Sequence, residues 1–429
     1  YDSYVFNSRG QRIASVQAYL PSAIIDGQTI GIGAFNRPRD FAVAPDNRIY
    51  ILDTGNNRLI SLNPDLSLEK VITSFSDGGF EDKFANPSGI TISSEGHLYI
   101  ADTDNARIVV LDQNGCLLRV IGPPVIKDKQ VLATNDIVYQ PRKVAVDPLG
   151  RIYVIAANVY EGILQFNPDG TFDGFIGAPR VKPSIADVFW SKIASSEQRA
   201  QQQLFLPIEY ANFSISRRGL LYAVVRGAET DVGDDLVKLL NPAGADIMRR
   251  ASQLPIIGDI EFDGASYSST SSFVDILGRE NDMFSILDAT RGRVFTYDHN
   301  GDLLYVFGGL GDTIGRFRNP LALERIEDTL LVLDSRGITV FEPTEYAIAI
   351  HNALSLYHQG GYDESAVVWQ QILDGNPNYE IAYNAIATNA LRKENYELAM
   401  KYFRLGEHRL GYSNAFAHYR HSVINKNIS

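Results

Sequence analysis

The stretch NRPRDFAVAPDNRIYILDTGNNRLISLNPD, residues 36–65, decides the architecture because it comes back along the chain. Residues 86–115 read NPSGITISSEGHLYIADTDNARIVVLDQNG, and residues 140–170 read QPRKVAVDPLGRIYVIAANVYEGILQFNPDG. Each copy is a short apolar strand, a polar turn, a second apolar strand, another turn and a third strand. Several strands per unit, at a period of roughly 40–60 residues, is the pattern of a β-propeller blade. The second-strand cores extend the count: Ile49-Tyr50, Leu98-Tyr99, Ile152-Tyr153, Leu221-Tyr222, Phe284-Ser285 and Leu330-Leu331. That makes six units.

Asp53, Asp102, Asp288 and Asp334 close this strand in four units, with Ala156 and Val225 in the two middle ones. The turn that follows carries Asp53-x-x-Asn56-x-Arg58 and Asp102-x-x-Asn105-x-Arg107, with Asp288 and Arg293 as a weaker copy. Asp and Asn suit such turns because their side chains bond nearby backbone N–H groups. An arginine five residues on can return to clamp the carboxylate with two parallel bonds. These turns therefore read as structural. On these residues the chain resembles the NHL-repeat family over about 37–341. The resemblance implies an all-β six-bladed propeller whose innermost strands ring a central channel. It names no function, since one fold carries many.

The sixth unit stops after its third strand. A segment near residues 12–17 is expected to supply the missing outer strand, which would pair an open sheet edge and close the ring. Between units three and four an insertion at about 180–203 spaces Ile185, Val188, Phe189 and Ile193 as on a helix, with Lys192 among them. It is expected either to pack on the propeller or to form a lid exposing Trp190.

After Pro343 the pattern turns helical. Ala353 and Ala387, Tyr357 and Leu391, Tyr362 and Tyr396, Ser365 and Ala399, and Trp369 and Phe403 align at an offset of 34. This spacing, with small residues where paired helices touch, resembles the tetratricopeptide repeat. The resemblance implies two repeats and a capping helix near 412–424, leaning on the propeller. The expected organisation is thus a propeller over 1–343 and a small all-α domain over 344–429. The family's groove accepts an extended peptide or helix, and Tyr357, Tyr383 and Asn384 are the candidates to line it.

The formal charge of −12 argues against a nucleic-acid partner. No apolar run is long enough to span a bilayer. The single cysteine, Cys116, excludes an intrachain disulfide and every multi-cysteine metal site. It suits a reducing cytosol or a Gram-positive exterior equally. Domain order, with the N-terminal stretches AYLP (18–21) and GIGA (31–34), resembles extracytoplasmic NHL/tetratricopeptide proteins of Gram-positive bacteria. That resemblance implies a cell-surface location, with membrane association only through a partner or a segment outside this chain.

Chemistry is expected at the channel mouth. A histidine-based zinc centre does not fit, because only His97 and His299 fall in the propeller units and neither at a channel position. The five histidines of the helical part read as surface residues. A calcium hydrolase of the lactonase type needs oxygens converging from several blades. The first-strand starts read Arg39-Asp40, Ser88, Arg142-Lys143, Ile208-Glu209, Ser271-Ser272 and Leu321. Asp40 and Glu209 would serve a cation; Arg142 and Lys143 oppose it. Arg39, Arg142 and Lys143, joined by Arg37 and Arg318, instead define a positive mouth for a small anionic or glycan ligand, with Tyr210 or Trp190 stacking on it. The reading that fits best is a non-enzymatic scaffold that binds a partner protein at the cell surface, within a transport or envelope assembly and without a cofactor. A calcium-dependent hydrolase and a carbohydrate-binding protein are the alternatives.

Overall fold

Short apolar runs separated by Asn, Asp, Gly and Pro fold here into six antiparallel sheets standing around one axis. The computed structural model describes residues 3–77, 79–125, 139–157, 159, 161–177, 209–226, 236–262, 267–269 and 271–428. Blade one holds strands Asp40–Val43, Ile49–Asp53, Arg58–Leu62 and Leu68–Ile72. Blade two holds Pro87–Ile92, Leu98–Asp102, Arg107–Leu111 and Leu117–Ile121. Blade three holds Pro141–Val146, Ile152–Ala156, Ile163–Phe166 and Phe172–Ile176. Blade four shows Glu209–Ile215, Leu221–Arg226 and Val237–Leu240 among the described residues. Blade five holds Phe273–Gly278, Phe284–Asp288, Arg293–Tyr297 and Leu303–Gly308.

Second strands are continuous in burial rather than alternating, as in Ile49–Asp53 and Leu98–Asp102. A sheet covered by neighbours on both faces has no solvent side to fill with polar residues. Fully covered aromatics such as Tyr50, Tyr153 and Tyr222 fill the spaces between blades. Each contributes on the order of 2 kcal/mol by burial.

Blade six consists of Ala322–Ile326, Thr329–Leu333 and Gly337–Pro343 from the end of the propeller, and its fourth strand comes from the N-terminus. That strand is Tyr19–Asp26, paired antiparallel from Gly337 opposite Asp26 to Pro343 opposite Tyr19. The expectation that residues 12–17 would close the ring is corrected. Arg12–Ala14 pairs instead with Tyr4–Phe6 in a hairpin. The sequence favours the later segment because YLPSAIID has the length and apolar content to cover the third strand, whereas RIASVQ is largely exposed. The helical insertion expected at 180–203, Trp190 included, lies outside the described residues.

Five helices follow: α1 (Glu345–His358), α2 (Tyr362–Gly375), α3 (Glu380–Arg392), α4 (Tyr396–Leu405) and α5 (Arg409–Ile428). Tyr362 and Tyr396 open α2 and α4, so the offset of 34 seen in the sequence is an offset between helical hairpins. The small residues Ala353, Ala387, Ser365 and Ala399 are all buried where helices meet. Ser365 Oγ donates to the Ala353 carbonyl at 2.7 Å. Thr344 caps α1, accepting from the Ala347 N–H.

One apolar core runs without a break from the propeller into the helices. Leu304, Tyr305 and Phe307 of blade five and Phe341 of blade six join Tyr19, Ile350, Trp369 and Tyr379 in it. Polar contacts seal the seam: Tyr379 Oη donates to the Leu304 carbonyl at 2.8 Å, and the Thr344 N–H to the Ala18 carbonyl at 2.9 Å. Beneath α1, Arg279 donates to Tyr305 Oη at 2.9 Å and to Tyr19 Oη at 3.0 Å. Tyr305 Oη lies 2.7 Å from His351 Nε2, and His351 Nδ1 lies 3.0 Å from Asp328 Oδ1. His351 is therefore buried at the seam, not a surface histidine as expected. Sequence periodicity marks one face of a helix but does not say what covers it.

Candidate functional site: the channel mouth

The innermost strands begin at one end of the channel, and the turns after the second strands open on the same face. At blades two to five the register shifts just after the strand begins: between Pro87 and Gly89, Pro141 and Lys143, Tyr210 and Asn212, and Phe273 and Asp275. A bulge re-aims the residue after it. At blades one and six the same doubling occurs, because the Arg39 and Leu321 N–H groups bond to Leu52 and Leu333, the residues opposed by or beside Asp40 and Ala322. One layer therefore crosses the channel, made of Asp40, Gly89, Lys143, Asn212, Asp275 and Ala322.

Within this layer Lys143 Nζ donates to both oxygens of Asp40, at 2.9 and 2.8 Å. Asp40 Oδ2 also accepts the Ile90 N–H of blade two at 2.8 Å. Asp275 repeats the device on the other side, accepting the Leu323 N–H of blade six at 2.7 Å and the Ile276 N–H at 2.9 Å. Asn212 donates to the Val274 carbonyl at 3.0 Å. Ser88 Oγ donates to the Arg142 carbonyl at 3.1 Å. Side chains at the channel thus stitch the inner strands of blades one to two, two to three, four to five and five to six. Gly89 permits the close approach: a Cβ there would stand 2.3 Å from the Arg142 carbonyl oxygen.

Electrostatics follow from one ammonium among carboxylates. Burial opposes the charge on Lys143, yet Asp40, Asp275 and Glu324 raise its pKa above the ordinary lysine value. Burial raises Asp275 to about 7, against the lowering influence of Lys143. Burial likewise raises Glu324 to about 8. Glu324 is only partly covered, so channel water screens it and Asp275 is the stronger case. Lys143 and Asp40 form the ion pair of the cluster.

The other mouth residues separate. Arg39 and Arg142 sit one position nearer the opening, exposed, with no side-chain hydrogen-bond partner among the described residues. Glu209 begins the inner strand of blade four, opposite Arg226. Arg318 is drawn away to Asp312 in the loop before blade six, while its N–H bonds Asp334 Oδ2 at 2.8 Å. Two members of the cluster lie deeper than the sequence predicts: the first-strand starts read as Ser271-Ser272 and Leu321, whereas Asp275 and Glu324 face Lys143 and Asp40. Their signal was present as a charged residue inside the apolar runs FVDILG and ALERI.

The repeated turns do structural work. Asp53 accepts the Asn36 N–H at 2.6 Å, Asn56 Nδ2 at 2.7 Å and Arg58 Nε at 2.7 Å. Asp102 repeats this with the Ala85 N–H, Asn105 and Arg107 at 2.7, 2.8 and 2.8 Å. Each arginine gives its carboxylate one bond rather than two and spends the rest of its fork on loop carbonyls or on Asp82. The copy in blade five departs further: Asp288 takes backbone N–H groups from Ser272, Thr290 and Arg291, and Arg293 turns elsewhere.

In the helical region Tyr357 packs edge-on against Tyr362, with ring centroids 5.1 Å apart, and near His299 of blade five. Tyr383 Oη donates to the Pro377 carbonyl at 3.0 Å, and its ring lies 6.2 Å from that of Tyr402. Asn384 Nδ2 donates to the Gly406 carbonyl at 3.3 Å. Among the described residues no helix is long and apolar enough to cross a membrane, and no group of three or more metal-ligating side chains forms.

The NHL repeat family matches residues 35–60 and 84–111, which run from the segment before each of the first two blades into its third strand. No curated protein matches the chain. Among solved structures, the virginiamycin B lyase of Staphylococcus aureus is similar at 10% identity, covering 75% of this chain and 99% of its own, with a TM-score of 0.44. A streptogramin B lyase is similar at 10% identity, covering 76% and 98%, with a TM-score of 0.43. A structural-genomics protein of unknown function from Bacteroides thetaiotaomicron is similar at 13% identity, covering 78% and 80%, with a TM-score of 0.48. The chain is thus a six-bladed propeller carrying NHL repeats, followed by a helical region.

Proposed function

We propose that this chain is a non-enzymatic binding scaffold whose channel mouth and helical region hold a partner protein outside the cytoplasm, within a transport or envelope assembly. The observation that carries the reading is the bond of Lys143 to both oxygens of Asp40. It sets an ammonium among the carboxylates that a divalent cation would need, and the backbone N–H groups of blades two and six take up further oxygens of that set. Such a layer holds inner strands in register and suits a plug better than a metal centre. The exposed Arg39 and Arg142 above it offer charge to an acidic patch on a partner. The helical hairpins are read as two tetratricopeptide-like repeats with α5 as the cap. They are fused to the propeller by a shared core, so the two parts present one continuous surface.

Two measurements test this together. Calcium titration calorimetry on metal-free protein is expected to show no stoichiometric site, and tight binding lost in Asp40→Asn supports the hydrolase instead. Cross-linking on intact cells of the source organism is expected to trap one recurrent protein that Arg39→Glu/Arg142→Glu no longer captures. Capture unaffected by that variant removes the mouth from the proposal.

A further inference from the structure

A basic cleft lies beside the outer strand of blade five, away from the channel cluster, and touches the helices only at its Ser15 rim among the described residues. Its floor is Asp259, fully buried and well supplied with donors. Tyr4 Oη donates to Oδ1, Arg12 reaches the same oxygen at 3.0 Å, and Arg291 reaches Oδ2 at 2.8 Å. Arg291 also bonds Glu261 at 3.0 Å. Arg293 is a further cation, and it stands 3.8 Å from Asp259 Oδ1, beyond hydrogen-bond reach. Its guanidinium lies 4.7 Å from the Tyr4 ring centroid. Its Nε and Nη1 are shut off from solvent without an acceptor among the described residues. A buried charged donor left unpaired is costly, and such a group asks for an oxygen from elsewhere.

Two cavities meet at this side chain. The smaller, about 270 Å³, is lined by Thr290, Arg291, Arg293, Arg316 and the backbone at Gly308 and Gly309. The larger, about 450 Å³, is lined by Tyr4, Arg12, Ser3, Ser15, Gln17 and Arg293. Arg316 Nη1 has, among the described residues, only a long bond, to the Leu310 carbonyl at 3.3 Å. Among the described residues four guanidiniums (Arg12, Arg291, Arg293 and Arg316) thus meet three carboxylates: Asp259, Glu261 and Asp288, which accepts the Thr290 and Arg291 N–H groups. Cations outnumber carboxylates here in a chain whose formal charge is −12.

We propose that the smaller cavity binds the phosphate group of a phosphomonoester, with the rest of the ligand extending over Tyr4 into the larger cavity. A phosphomonoester is an anion with three free oxygens, one for each of the three arginines that line the pocket. A carboxylate offers one charge and two oxygens and leaves Arg293 unmatched.

The test is titration of the full chain with inorganic phosphate and with glucose 6-phosphate, read by phosphorus NMR and calorimetry against chloride at equal ionic strength. Both probes are expected to bind saturably. Arg316→Ala and Arg293→Gln are expected to weaken binding about tenfold or more, while Arg119→Ala on blade two has no effect. Arg316 is on a loop and partly exposed, so its variant keeps the test intact if Arg293→Gln does not fold. Tighter binding of the ester places its organic part in the larger cavity; equal binding confines recognition to the phosphate group. Absence of saturable binding by either probe, or binding that Arg316→Ala leaves unchanged, overturns the proposal.

Discussion

Replacing Lys143 by Met removes one charge from the channel and little else, since the stem stays and only the ammonium is lost. Asp40, whose side chain is 4% exposed, then keeps the Ile90 N–H but loses two bonds of 2.8–2.9 Å and its counter-ion. Breaking a buried pair by deleting one partner costs about 3–5 kcal/mol. The retained backbone bond and the relief of desolvating Lys143 place this case near the lower end, at about 3 kcal/mol. In a chain of 429 residues that corresponds to a fall in Tm of roughly 3 °C. Asp40→Asn/Lys143→Met removes both charges and is expected to recover to within about 1 kcal/mol of the parent, because a neutral layer leaves no buried charge unpaired. Urea unfolding followed by tyrosine fluorescence, with calorimetry alongside, reads both variants. The reasoning is refuted if Lys143→Met costs less than about 0.5 kcal/mol, or if the double variant is no more stable than the single one.

Other outcomes follow from the same structure. Asp275 and Glu324 hold protons in the folded state that the unfolded chain has released above about pH 4, so unfolding releases them and stability falls as pH rises through 7 to 8; Asp275→Asn is expected to flatten that slope in unfolding curves taken from pH 5 to 9. His299 behaves in the opposite sense. Burial lowers its pKa to about 4, so the seam beside His358 loses stability as pH drops from 6.5 towards 4, and hydrogen exchange in α1 should rise first. Removing residues 1–26 deletes the strand that closes blade six and is expected to abolish cooperative unfolding, whereas removing residues 1–11 deletes one arm of the hairpin and should leave calorimetric cooperativity intact. Gly89→Ala forces a Cβ against the Arg142 carbonyl, and a loss of about 2 kcal/mol or more is expected from denaturant midpoints.

The blades were legible because their repeat is local. Ile49-Tyr50 and its copies advertise a strand buried on both faces, and Asp53 with Asn56 and Arg58 forms a turn within six residues. Closure was legible in principle but misplaced, because Arg12–Ala14 and Tyr19–Asp26 are neighbouring strands of one N-terminal stretch, 3 and 8 residues long. Choosing between them needs the length of the edge they must cover. The channel layer was half legible. Asp40 and Lys143 stood out as charges beside strand starts, but their mutual bond spans 103 residues, and nothing local links them. Asp275 was missed because a bulge carries the channel-facing position into the strand, and Glu324 because it lies one alternation deeper than Ala322 on the same face. The basic cleft was invisible for the same reason: Arg12, Asp259, Arg293 and Arg316 come from four separate segments.

The most direct test of the central claim is a high-resolution crystallographic map of the channel from protein soaked in calcium. A filled side-chain density for Lys143, with Nζ bonded to both oxygens of Asp40 and no ion beside it, is predicted. A map showing Lys143 swung away, with a calcium ion held between Asp40, Asp275 and Glu324, would contradict it.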